Sequence, residues 1–405
     1  MKVAIITPGI QPVPALNGGA VETLIEELIS QNEMYKNMEI DLYTIPDKRY
    51  NKNIYKHCNI IEVKAKISIK LMSYIKKIVC KLLRIQSNFT IASEQYTIGM
   101  KKIMSESKKI YDCILLENNM QIYKAIKDEI KNHSKKFVFH LHNEILGSDR
   151  PSYLCKEIIE EAYAILSVSN YLKERMNSVM YSEKNKVFYN CVNLETFNPQ
   201  NINHKKVSDW KQKLEINEKD FSFLFTGRIT DDKGILELVK AFEGVLNNDK
   251  NVKLIIVGNS WFGKKRKNKF EKRLEKLVKK IGEKVVFTGY IEHNDIPQIL
   301  SIADCVVIPS KWEEPFGVVG IEAMAMQKKI IATNSGGLKE QLDENTAIMV
   351  NKDENMEKNL ERAMNEIKNN NEYAENLAKN AYEKVHNVKD FNNKFYYQNF
   401  IKFLN

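Results

Sequence analysis

Pro309-Ser310-Lys311-Trp312-Glu313-Glu314-Pro315-Phe316-Gly317-Val318-Val319-Gly320-Ile321-Glu322-Ala323-Met324-Ala325 is the stretch on which the reading of this chain turns. An apolar run, Cys305 to Ile308, leads into it and reads as a buried strand, which Pro309 ends. Pro315 tightens the loop that follows, and Gly317 lets backbone come close to whatever binds there. From Val318 the apolar residues Val318, Ile321, Ala325 and Met326 fall at helical spacing. The segment is therefore strand, loop, helix, with the loop at a helix N-terminus. Unbonded backbone N–H groups and the positive end of the helix dipole favour anionic or hydroxyl-rich ligands at such a place. Glu314 and Glu322 bracket the loop with seven residues between them. Most glutamates are solvated surface charges, but two acceptors so placed suit the paired hydroxyls of a sugar.

The rest of the chain bounds what such a loop can serve. Its 405 residues are enough for two domains of ordinary size. A hydrophobic share of 43% and a charged share of 28% are those of a globular protein. No run of about 18 apolar residues is present, so no membrane-spanning helix is expected. The apolar part of Met1-Lys2-Val3-Ala4-Ile5-Ile6-Thr7-Pro8 is too short for a signal peptide and reads as a first core strand. Cysteines at 58, 80, 113, 155, 191 and 305 form no metal-ligand pairs, and reduced thiols in the cytoplasm are the expectation.

Taken in order, Val3 to Thr7 is a strand, followed by a loop carrying Gly18-Gly19 and a helix from Ala20. The spaced glycines of a nicotinamide-binding fingerprint are absent. Ile40 to Thr44 and Ile60 to Val63 read as further strands. From Val63 to Ser93 the character changes: Lys64, Lys66, Lys70, Lys76, Lys77, Lys81 and Arg84 occur with no acid before Glu94, interleaved with Ile67, Leu71, Ile75, Ile78 and Leu82. A basic amphipathic helix of this kind suits the surface of an anionic membrane, although a helix packed on a sheet carries the same pattern. Cys113 to Leu116 and Phe137 to Leu141 are strands. The second ends in His140-Leu141-His142, whose alternation puts both histidines on one side, at the end where open α/β sheets bind ligands. A zinc site would need a further ligand, and no cysteine or third histidine lies near in sequence.

The second half repeats the rhythm. Phe221 to Phe225 is a strand running into Gly227-Arg228-Ile229-Thr230-Asp231-Asp232-Lys233-Gly234 and then a helix from Ile235. A guanidinium and an ammonium flanking a loop at a helix start suit a diphosphate. Val252 to Val257 is a strand ending in Gly258-Asn259, before the basic run Lys264-Lys265-Arg266-Lys267. Val285 to Thr288 precedes Gly289-Tyr290-Ile291, and Ile330 to Thr333 precedes Ser335-Gly336-Gly337. Polar residues through Lys206 read as a linker, and from Asn355 the chain reads as helical to its end. The basic run lacks aromatic stacking platforms, so no nucleic acid is expected as a partner.

The Glu314–Glu322 stretch, Gly227 to Gly234, Gly-Gly-Ala-Val-Glu-Thr at 18–23 and the histidine strand end together resemble the retaining glycosyltransferases of family 4. The resemblance implies the α/β architecture termed GT-B, two doubly wound Rossmann-like domains facing across a cleft. Residues 1–197 would bind the acceptor and 198–385 the nucleotide sugar, with 386–405 a helix crossing back to the first domain. It implies transfer of a hexose from a nucleotide-diphosphate sugar, UDP- or GDP-linked, to a hydroxyl of a glycan or lipid-linked acceptor. The setting would be bacterial cell-surface polysaccharide or glycolipid synthesis, in the cytoplasm or at the inner face of the membrane, with no metal or other cofactor. His142, with His140 as the alternative, Arg228, Lys233 and Glu314 would carry the chemistry. Gly18, Gly19, Glu22, Gly258, Asn259, Tyr290, Ile291, Phe316, Gly317, Val318 and Glu322 would bind the donor. Asn190-Cys191-Val192-Asn193 departs from the family's Asn-Gly-Val-Asp loop, and cysteine disfavours a left-handed backbone there. A nucleotide-sugar epimerase and a non-catalytic sugar-nucleotide-binding scaffold are the rival readings.

Overall fold

In the computed structural model, residues 1–51, 54–64, 91–144, 152–258 and 268–404 are described. Asn259, the basic run at 264–267 and all but the ends of the basic segment at 63–93 lie outside them. The chain divides into two compact units: Met1–Asn190 together with Asn393–Asn405, and Cys191–Asn392.

The first unit is built on seven strands: β1 (Lys2–Ile6), β2 (Glu39–Thr44), β3 (Cys58–Glu62), β4 (Tyr111–Glu117), β5 (Ser134–Leu141), β6 (Ala164–Ser167) and β7 (Asn185–Val187). They lie side by side in the order β3-β2-β1-β4-β5-β6-β7, and every neighbouring pair is parallel. The second unit holds β8 (Phe221–Thr226), β9 (Val252–Val257), β10 (Val285–Gly289), β11 (Cys305–Ile308), β12 (Lys329–Thr333) and β13 (Ile348–Val350), in the order β10-β9-β8-β11-β12-β13, again all parallel. Parallel strands need crossover connections, and helices supply them. Strands covered on both faces must be apolar throughout. Accordingly Val3, Ala4, Ile5 and Ile6 of β1 are fully buried, as are Leu254, Ile255 and Ile256 of β9.

Helix Ala20–Tyr35 shows how one crossover is made. Leu24, Ile25, Leu28 and Ile29 form its buried stripe. It stops where Lys36 turns left-handed at φ 56° and donates its N–H to the Asn32 carbonyl. The C-terminal helix Asn393–Leu404 belongs to this same unit: Tyr397 donates to Asn32 Oδ1 at 2.9 Å and stacks on Tyr35, and Tyr396 stacks on Phe188.

Two segments read from the sequence take a more definite form here. The polar segment expected to be a linker through Lys206 runs at its end into a helix, His204–Lys213, capped by Asn203, whose side chain accepts from the Lys206 N–H. None of its residues is buried, so it has no apolar period to read. The stretch from Asn355 is three helices, Met356–Asn369, Asn371–Asn387 and Asn393–Leu404, broken at Asn370 and again at 388–392. Among the described residues no helix is long and apolar enough to cross a membrane.

In each sheet the strand order reverses beside the first strand. β2 and β3 lie on one side of β1 and β4 to β7 on the other, while β9 and β10 lie on one side of β8 and β11 to β13 on the other. At such a point the loops leaving two adjacent strands diverge, opening a crevice at the carboxyl ends of the strands. The loops concerned are those after β1 and β4 in the first unit, and those after β8 and β11 in the second.

Candidate active site

In the second unit the two loops at the reversal are stitched together by backbone. Lys311 and Trp312 both donate their N–H groups to the Asp232 carbonyl, at 2.9 and 3.3 Å. Gly234 caps the helix Ile235–Asn248 at φ 67°, and a Cβ there would stand 1.8 Å from the Pro309 carbonyl oxygen. Only glycine allows both the left-handed turn and this approach. Next to them, Gly227 donates to the Val257 carbonyl and Gly258 to the Gly289 carbonyl, each at 3.0 Å. The ends of β8, β9 and β10 are thereby tied in a row.

This places Lys233 against Glu314. Lys233 Nζ donates to Glu314 Oε1 at 2.7 Å and lies 4.9 Å from the centre of the Trp312 ring. Ser310 Oγ donates to the same oxygen. The Glu314 backbone is held as well: its N–H donates to Ser335 Oγ at 3.0 Å and its carbonyl accepts from Gly337 at 2.7 Å. Glu314 is 5% exposed, so its carboxylate is fixed in one position, with Oε2 unbonded among the described residues. Arg228 stands apart from this pair, two-thirds exposed, its Nη2 at 3.5 Å from Asp232. Two buried polar atoms of the same loops, Thr230 Oγ1 and Trp312 Nε1, have no partner among the described residues.

Glu322, one turn into the helix Val318–Ala325, is 6% exposed, and its Oε1 lies 2.7 Å from His293 Nε2. Gly317 precedes that helix at φ 87°, and Val318 opens it half-buried. Ile291 is buried and Tyr290 is exposed. The Phe316 ring is 1% exposed and packs edge-on against Phe391, and its carbonyl accepts from Gln341. Cys191 is not among the residues with a left-handed backbone. Ser310, Ser335 and His293 escaped the sequence reading. Only the position of Ser335 immediately before Gly336-Gly337 could have flagged any of them.

The first unit carries its own polar cluster at the reversal between β1 and β4. Glu117, at the end of β4, lies beside His140 in the register of β5. Its Oε2 is 3.0 Å from His140 Nδ1 and 2.7 Å from His142 Nε2. All three residues are buried. Burial alone would raise the Glu117 carboxyl, but the two imidazoles outweigh it and hold it below the usual carboxylate range. Burial, with His140 alongside, pushes His142 down, so its ring is neutral at pH 7. The three side chains offer ligand atoms within 4.8 Å of one another. Glu117 thus supplies the third candidate metal ligand that could not be found near the histidines in sequence. Gly18 and Gly19, at φ 71° and 116°, lead into the helix that holds Glu22.

Residues 206–384 match the family model described as Glycosyl transferases group 1. Spore coat protein SA of Bacillus subtilis is 25% identical, across 94% of this chain and 93% of its own length. Lipopolysaccharide 1,2-N-acetylglucosaminetransferase of Salmonella typhimurium is 30% identical over 56% of each chain. The crystal structure of Anabaena Alr3699/HepE in complex with UDP-glucose superposes with a TM-score of 0.72 at 19% identity, covering 100% of this chain and 99% of that one. That likeness shows the fold, which is GT-B. The match to the Glycosyl transferases group 1 model across residues 206–384 agrees with these relatives, and the enzyme is a glycosyltransferase.

Proposed function

We propose that the enzyme moves a hexose from a nucleotide-diphosphate sugar to an acceptor hydroxyl, with retention of anomeric configuration and without a metal ion, as a member of family 4. The observation that carries this reading is the Lys233–Glu314 pair, held where the β8 and β11 loops diverge. The barrier lies in breaking the anomeric C–O bond while negative charge grows on the departing diphosphate. An ammonium has three donors, so Lys233 can keep Glu314 and still bond a phosphate oxygen. Arg228, unencumbered by burial, adds a planar charge from the start of the same loop. Glu314 Oε1 is occupied by Lys233 and Ser310, and Oε2 accepts a hydroxyl of the donor sugar. Glu322 binds the ribose hydroxyls, and His142 assists near the transferred sugar. In the retaining reaction the anomeric carbon exchanges its bond to the diphosphate for one to the acceptor oxygen. The acceptor proton passes to a donor phosphate oxygen.

UDP-linked sugars are the first donors to try, since a protein of the same fold binds UDP-glucose. The lipopolysaccharide relative supports a glycan or lipid-linked acceptor in cell-surface polysaccharide or glycolipid synthesis. The test is incubation with a panel of nucleotide sugars in EDTA, following slow donor hydrolysis without acceptor. One donor should be hydrolysed to sugar and nucleoside diphosphate, and Arg228→Glu should abolish it. Epimerised nucleotide sugar as the product, or undiminished turnover by Arg228→Glu, would overturn the proposal.

A further inference from the structure

β4 is followed by Asn118-Asn119, so Glu117-Asn118-Asn119 places three polar side chains in a row, the first two tied to the end of β5 and the third to the loop after β1. Glu117 Oε2 faces both imidazoles. Asn118, left-handed at φ 48°, accepts at Oδ1 from the backbone N–H of His142 at 2.9 Å and of Asn143 at 3.1 Å, and its own N–H donates to the His140 carbonyl at 2.8 Å. Asn119 caps the helix Met120–His133 by accepting from the Gln121 and Ile122 N–H groups, and its Nδ2 donates to the Pro8 carbonyl at 2.9 Å, in the loop that runs on to Gly18. The backbone and the ring of His142 are thus fixed separately, by two adjacent residues.

A carboxylate is a costly way to fill a buried position, unless its charge is used. Glu117 is 2% exposed, and the arrangement also leaves His140 Nε2 buried with no partner among the described residues. Packing alone would favour an apolar side chain at the end of β4. An ionised carboxylate only accepts, so the nitrogen that each imidazole turns toward Oε2 must carry a hydrogen. For a neutral His142 this leaves the lone pair on Nδ1. We propose that Glu117 is the positioning residue of His142, holding its imidazole as the Nε2–H tautomer so that Nδ1 accepts from a sugar hydroxyl. A lone pair at Nδ1 repels phosphate oxygens and selects hydroxyl hydrogens, which separates the work of this histidine from that of Lys233 and Arg228. The inference rests on the sugar-transfer reading above for the ligand of Nδ1. The tautomer itself does not depend on that reading.

The test uses the full chain with 15N-labelled histidine, His142 being assigned by the signals lost in His142→Gln. At pH 7 the wild type should show His142 as a single tautomer with protonated Nε2 and bare Nδ1, unchanged by EDTA. Glu117→Gln should lose that single tautomer and lower kcat by about 10- to 100-fold, on the scale of orienting residues behind a functional histidine, with KM for the nucleotide sugar within about twofold. Asn118→Gly keeps the left-handed backbone, so it should lower kcat while the tautomer persists, and it carries the kinetic arm if Glu117→Gln fails to fold. A protonated Nδ1 in the wild type, an unchanged kcat in Glu117→Gln, or one tightly held zinc per chain whose removal alters the His142 signals would overturn the assignment. If no nucleotide sugar is turned over at all, the transfer reading fails, while the nitrogen spectrum still judges Glu117.

Discussion

Glu22 is the residue whose burial has the clearest measurable consequence. It lies in the first turn of the helix Ala20–Tyr35, is 6% exposed, and folds back over the preceding turn, so that a Cβ on Gly19 would meet its Oε2 at 2.2 Å. Burial pushes its carboxyl up to about 7, Glu117 adds like-charge repulsion, and its own backbone N–H opposes both. A carboxyl raised on folding binds more protons in the folded state than in the unfolded state. Its contribution is fully present below the unfolded value of about 4.5 and is lost as pH rises to about 7. A shift of that size corresponds to about 3 kcal/mol. His142 acts in the opposite sense: its lowered value costs stability as pH falls below about 6.5, so the wild-type profile blends the two effects. The clean quantity is the difference between Glu22→Gln and wild type. Urea denaturation at pH 4.5 and pH 8 should show the variant gaining about 3 kcal/mol relative to wild type across that interval. An unchanged difference would mean that Glu22 titrates as a solvated acid.

At the scale of elements, the loop–helix junction at Gly234 couples stability to chemistry. Gly234→Ala must strain a left-handed position and displace the Pro309 carbonyl, so both loops that present Lys233 and Glu314 have to move. The expected loss is about 1–3 kcal/mol of stability by chemical denaturation, with a weakened nucleoside diphosphate in calorimetry. An alanine variant with wild-type affinity would show that the Lys233–Glu314 pair is not set by this junction. Such junctions are also where the sequence was most readable. The predominantly apolar runs of β8, β9 and β11 announce strands covered on both faces, and Pro309 marks where the last of them stops. The GT-B fold was legible because its signals are local and repeated. His204–Lys213 was not, because it buries nothing, and β13 was not, because it has only three residues. The site divides in the same way. Arg228 and Lys233 stand in one short loop that a reader can inspect. The meeting of Lys233 with Glu314 spans 81 positions, and that of Glu117 with His142 spans 25. Neither is encoded in any spacing. The left-handed turn at Asn118 that holds His142 leaves no compositional trace beyond an asparagine pair after a strand.

Across the whole molecule the charge is uneven in a way that makes a testable claim. The net charge is +10, and seven basic residues with no acid fall between Lys64 and Arg84. Lys64 pairs with Glu62 at 2.9 Å, and the other six lie outside the described residues. We propose that this segment draws the enzyme to an anionic membrane surface, in keeping with a lipid-linked acceptor. Each cation near such a surface contributes about 1 kcal/mol, and the attraction fades as the screening length shrinks from about 10 Å at 0.1 M salt to about 3 Å at 1 M. Co-sedimentation should therefore occur with vesicles containing phosphatidylserine at low salt, and not with purely zwitterionic vesicles, and about 1 M salt should release the protein. Reversing Lys76, Lys77, Lys81 and Arg84 to Glu should abolish sedimentation while leaving donor hydrolysis intact, because the residues assigned to donor chemistry are elsewhere in the chain. Equal binding to zwitterionic vesicles would show that the apolar side of the segment drives association. An absence of binding at low salt would show that the cations serve some purpose other than a membrane.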